Sequence, residues 1–104
     1  MTLPNRRQVR SGTTEYRGQK LHITLGLYPD GTPGEIWAYG YKTGSGQEAE
    51  INQQCIQWSK LVQEDGKRLE DFAKYISMDY DGQPHTASGA ALLFALEMLN
   101  DHPR

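Results

Sequence analysis

The chain is poor in the residues that most often announce chemistry. Cys55 is the one cysteine in 104 residues, which excludes an internal disulfide and any CxxC redox pair. No apolar run reaches membrane-spanning length, so no contact with a membrane is expected. A surplus of one charge is also missing. Eleven Lys and Arg stand against thirteen Asp and Glu, for a formal net charge of −2, which gives no general electrostatic reason to bind duplex nucleic acid. His22, His85 and His102 show no metal-ligand spacing, and Cys55 falls on an apolar helical stripe, so neither zinc nor a cofactor is expected. The start, MTLPNRRQVR, lacks the apolar stretch of a signal peptide, and the expected compartment is the cytoplasm. The basic residues are unevenly placed: Arg6, Arg7, Arg10, Arg17 and Lys20 all precede the first strong strand, as a local basic arm would.

What remains is a pattern of strands followed by helices. Thr13 to Arg17 reads as a short strand ending in a turn at Gly18. From Lys20 to Tyr28 the alternation is clean: Leu21, Ile23, Leu25 and Leu27 point one way, His22, Thr24, Gly26 and Tyr28 the other. The PDG at 29–31, followed by Pro33 and Gly34, is turn chemistry. Glu35 to Tyr41 forms the next strand, with Trp37, Tyr39 and Tyr41 on one face and Ile36, Ala38 and Gly40 on the other. The pair predicts an antiparallel hairpin. A helix follows over about Gly46 to Glu64, striped by Ile51, Cys55, Trp58 and Val62 and opened by the capping box of Ser45 and Glu48. Gly66 is its stop. A shorter helix is predicted near Leu69 to Ile76, a surface turn over 79–84, and a last helix over about Ser88 to Asn100. This order predicts one α+β domain over 1–104. It consists of a small antiparallel sheet of about three strands in the N-terminal half, with two or three helices from the C-terminal half packed on one face. Three strands have two faces and these helices cover one, so a row of aliphatic or of aromatic side chains lacks cover within the chain. A homo-oligomer is the expectation that follows.

Two helix starts invite an anion. Lys42, Thr43, Gly44, Ser45 and Gly46 offer free amides at the positive end of a helix dipole, together with one ammonium. The lysine precedes the glycines, so the loop is not a Walker A sequence. His85, Thr86 and Ser88 repeat the arrangement before the last helix. Helix capping explains Ser45 and Ser88 equally well. Glu35, at the start of its strand, is read as the ion-pair partner of Arg6 or Arg7. Ser45 and Ser88 lack the strand-turn-helix setting of a nucleophile, and no constellation here predicts an enzyme.

At this point the residues resemble a known family. LPNRR at 3–7, ITLGLYPDGTPGEIW at 23–37 and the Lys-x-Gly-Ser turn at 42–45 are similar to the TSCPD domain, known as a C-terminal appendage of adenosylcobalamin-dependent ribonucleotide reductases. The closing DYDGQPHTASGAALLFALEML resembles the end of small stand-alone members from bacteria and phages. The resemblance implies the fold and a bacterial host cell. It implies no reductase chemistry, since the barrel, the radical and reducing cysteines and the cobalamin site are missing. Two functions are expected from this. One is a non-catalytic module for a small nucleotide-like phosphorylated ligand, of the kind a phage sponge uses to sequester a cyclic-nucleotide immune signal. Its candidate ligand residues are Arg6, Arg7, Trp37, Tyr39, the 42–46 loop, His85, Thr86 and Ser88, with an aromatic ring stacked on the base. The other is a protein-interaction or regulatory subunit related to ribonucleotide reductase.

Overall fold

The computed structural model describes Leu3 and residues 7–101, the side chain of residue 101 apart. Three strands, β1 (Gln8–Tyr16), β2 (Gln19–Leu27) and β3 (Pro33–Tyr39), form one antiparallel sheet in the order β1-β2-β3. Helix α1 (Gly46–Asp65), the short α2 (Leu69–Phe72) with a 3-10 turn over Ala73–Tyr75, and α3 (Ala87–Asp101) complete the α+β fold. No described helix is long and apolar enough to cross a membrane.

The alternation of β2 decides which face is covered. Leu21, Ile23 and Leu25 are fully buried against the helices, as are Ile36 of β3 and Ile51, Cys55, Leu69 and Leu92 of the helical layer. Helix α1 packs on β3 and α3 on β1 and β2. The other face carries His22, Thr24, Trp37 and Tyr39, and no helix among the described residues lies over it. Trp37 is 38% exposed and Tyr39 58%. The uncovered row is therefore the aromatic one. Tyr41 is not part of it. The chain passes through Gly40 at φ 154°, where an added Cβ would lie 2.2 Å from the Lys20 carbonyl oxygen, and Tyr41 then packs against the core.

Strand β1 begins five residues earlier than its sequence pattern predicts. Its helix-facing positions are Arg10, Gly12 and Thr14, opposite Leu25, Ile23 and Leu21, so no aliphatic alternation marks it. The reason is steric. A Cβ at Gly12 would lie 2.6 Å from Met98 Sδ and 2.9 Å from Phe94, so α3 itself fills the place of the missing side chain. The β1–β2 connection is a two-residue turn with Arg17 at φ 49° and Gly18 at φ 82°, the primed geometry that matches strand twist. Arg17 is held in this conformation by its own contacts. Its Nε donates to Tyr16 Oη at 2.9 Å, and its guanidinium pairs with Asp79. Tyr16 Oη in turn donates to the Pro84 carbonyl at 2.5 Å, which fastens the hairpin to the 79–84 turn.

The predicted helix over 69–76 is shorter than its pattern suggests. After one turn it tightens to 3-10 geometry, and Ile76 is already extended. The chain must reverse there to form the Met78–Pro84 bridge, and of the apolar residues Leu69, Phe72, Ala73 and Ile76, Leu69 alone is fully buried.

Candidate functional site

Each of the two helix starts singled out by sequence is met by a carboxylate of α1. At the start of α1, Ser45 Oγ accepts from Glu48 N–H at 3.1 Å, and Glu48 Oε1 accepts from Gly44 N–H at 2.8 Å. The serine half of the capping box is made; the glutamate half closes on Gly44 N–H, because Ser45 N–H already donates to the Lys42 carbonyl at 3.0 Å, and the amides that an anion would use are occupied. One turn further along, Glu50 reaches the start of α3. Its Oε2 accepts from Ser88 Oγ at 2.5 Å and its Oε1 from Ser88 N–H at 3.3 Å. Thr86 Oγ1 takes Gly89 N–H at 3.1 Å. A phosphate at 85–89 would have to displace Glu50 or sit beside its negative charge.

The remaining candidates are distributed over two sides of the molecule. His85, Thr86 and Ser88 line a cleft of about 460 Å³ with Glu50, Trp58 and Phe72, on the helical side of the sheet. The Trp58 and Phe72 rings stack there at 6.2 Å. Trp37 and Tyr39 lie on the opposite, open face. Trp37 Nε1 donates to Glu35 Oε1 at 3.1 Å, and Arg7 donates to the same oxygen, also at 3.1 Å. The expected Glu35 ion pair is thus made with Arg7; Arg6 lies outside the described residues. The Glu35 side chain lies over Gly26, where a Cβ would be 2.7 Å from its Cγ. Tyr39 stacks on His22 of the neighbouring strand, centroids 5.7 Å apart. Lys42 and Thr43 are exposed in the loop leaving the sheet. The tertiary structure therefore does not join the aromatic rings and the 85–89 segment into one site.

Cys55 is fully buried under β3, and burial pushes its thiol up to about 12. Arg17 is raised by the Tyr16 hydroxyl and by Asp79; Asp79 is lowered to about 2 by hydrogen bonds from Asp81 and the Gln83 backbone, with Arg17 adding to it. Glu50 and the Arg17–Asp79 pair are the participants that sequence reasoning missed; Glu48 was expected at the helix start, though not on Gly44 N–H. For Glu48 the capping spacing is a signal. For Glu50 the contact is 38 residues away in sequence, and no local pattern foretells it. Among the described residues no group of three His, Cys, Asp or Glu side chains is placed to hold a metal ion.

No protein-family model, curated protein or solved structure matches this chain.

Proposed function

We propose that this chain is a non-catalytic binding module whose recognition surface is the open face of its sheet. The observation that carries the reading is the pairing of two exposed rings, Trp37 and Tyr39, on a face with no helix over it, each held by a neighbour: Trp37 by Glu35, Tyr39 by His22. Rings held in this way lose little freedom when a flat group stacks on them. A nucleotide-like ligand suits such a surface, with its base on the rings and its phosphate towards the exposed Lys42. Sequestration of such a ligand, the sponge role, is the biological form this takes. Stacking on an aromatic side chain contributes about 1–3 kcal/mol per base.

The test is a thermal-shift and calorimetric screen against mono-, di- and cyclic nucleotides, followed by Trp37→Ala and Tyr39→Ala. The expected result is stabilisation by one nucleotide class and a loss of roughly 5- to 150-fold in affinity for each variant, which is that energy range converted at about 1.4 kcal/mol per tenfold. A second reading, a protein-interaction or regulatory subunit, is favoured by the carboxylates of Glu48 and Glu50 at the two helix starts, which oppose a phosphate there. If no nucleotide raises the melting temperature of the parent protein, the nucleotide reading fails and this second one takes its place.

A further inference from the structure

The two edges of the sheet are treated differently by the rest of the chain. At β3, α1 supplies the partners that another strand would otherwise offer. Ser59 Oγ accepts from Ile36 N–H at 3.0 Å and donates to the Ile36 carbonyl at 3.3 Å, and Gln63 Nε2 donates to the Gly34 carbonyl at 3.0 Å. The strand also begins at Pro33, which has no N–H to offer. That edge is closed. At β1 the sheet ends, and among the described residues β2 is its one neighbour. In a hairpin closed by a two-residue turn, the residues flanking the turn exchange both hydrogen bonds. Tyr16 faces Gln19 in this way, so the even-numbered residues of β1 bond to β2. Val9, Ser11, Thr13 and Glu15 present their N–H and C=O groups outward. The strand is nine residues long, with no proline, no lysine and no bulge, and the devices that could blunt its edge are limited to two charges, Glu15 on the open face and Arg10 turned under the helices.

We propose that a second copy of this chain covers that edge. The two β1 strands pair antiparallel about a twofold axis at Gly12, giving a six-stranded sheet. The strand is self-complementary in this register. Ser11 faces the partner copy's Thr13, Val9 faces Glu15, and Arg10 faces Thr14, so no two like charges meet. Every outward backbone group of β1 is used. The helix above adds a second surface. Helix α3 lies over β1 and β2, and with strands about 4.8 Å apart the two α3 axes come roughly 10 Å from each other, the packing distance of helices. Helical spacing puts Ala90, Phe94 and Met98 on the β1 flank of α3, all three partly exposed in the single chain, with Glu97 turned outward to solvent. Because β3 is closed and β1 open, growth stops at two copies. A chain with one open edge forms a closed isologous dimer and not a fibre. The proposal is independent of the reading of the aromatic face, which stays accessible on both copies.

The test uses substitutions at 11 and 13, whose side chains lie on the open face and contribute nothing to the core. S11K/T13K sets lysine opposite lysine across the axis, and S11E/T13E does the same with glutamate; mixing the two variants sets lysine opposite glutamate. By light scattering and native mass spectrometry the parent is expected at twice the monomer mass at tens of micromolar. Each double variant is expected to dissociate with a loss of at least tenfold in dimer affinity, and the mixture to recover a heterodimer. Amide exchange on the parent should show Val9, Ser11, Thr13 and Glu15 protected at high concentration and unprotected on dilution, a readout that needs no variant to fold. A monomeric parent at these concentrations overturns the proposal. So does a double variant that stays dimeric, a mixture that does not pair, or a dimer that Tyr39→Glu dissociates, since that would place the interface on the open sheet face.

Discussion

Replacing Ser59 by alanine removes a single hydroxyl, yet the structure makes it the partner of two backbone groups. The Ser59 side chain is buried, accepts from Ile36 N–H and donates to Ile36 C=O. Both groups sit between β3 and α1, over a fully buried Ile36. Each is left without a partner in the variant, at about 1–3 kcal/mol per buried unpaired group. The gain in helix propensity from serine to alanine offsets roughly 0.5 kcal/mol. The net expectation is a loss of about 1.5–5.5 kcal/mol. For a domain of this size that corresponds to a fall of at least about 6 °C in melting temperature. The assay is urea denaturation of parent and variant, at one low protein concentration so that self-association does not contribute, with the slope m unchanged. A loss below about 0.5 kcal/mol would refute the reasoning and mean that the edge of β3 is satisfied by water instead of α1. Gln63→Ala, which frees one carbonyl at the more exposed end of the same edge, should cost about 1 kcal/mol on the same scale.

Cys55 should be inert. With its thiol near 12, the thiolate fraction at pH 8 is on the order of one in ten thousand, against about a quarter for a free thiol. Modification of the native protein should therefore be at least about a thousandfold slower than of the denatured chain, and a ratio under tenfold would contradict the burial. The sign of the linkage follows: an acid with a raised folded pKa contributes stability below its unfolded range and loses it as pH climbs. Stability should accordingly decline above about pH 8.5, with the buried-side tyrosines Tyr28 and Tyr41, also raised by desolvation, acting in the same direction. At the start of α1, Ser45→Ala should cost about 1 kcal/mol through the lost cap, while Lys42→Ala leaves stability unchanged. A larger loss from Lys42 than from Ser45 would mean that the loop is held by the lysine and not by the serine cap.

Some of this molecule was present in local pattern, and some was not. The alternation of Leu21, Ile23, Leu25 and Leu27 determined β2 and its buried side, because a period of two allows one face only to be apolar. The stripe of Ile51, Cys55, Trp58 and Val62, with Ser45 before it and Gly66 behind it, determined α1 to within a residue of its observed end. Trp37 and Tyr39 were legible as one row, but nothing local said whether that row or the aliphatic one would be covered. The docking of α1 and α3 decided it, since a helical stripe of aliphatic residues buries more apolar area against Leu21, Ile23 and Ile36 than against polar-edged rings. The early part of β1 was invisible because Gly12 occupies its central inward position and the side chains that complete it, Phe94 and Met98, come from the far end of the chain. The candidate anion sites show the same division most plainly. Free amides at two helix starts are a property of sequence, readable from glycine and serine beside an amphipathic run. Their occupation by Glu48 follows from a spacing of three residues. The capture of the Ser88 amide and hydroxyl by Glu50 exists only because packing α1 beside α3 brings a carboxylate there, and long-range placement of that kind is what the tertiary structure alone decides.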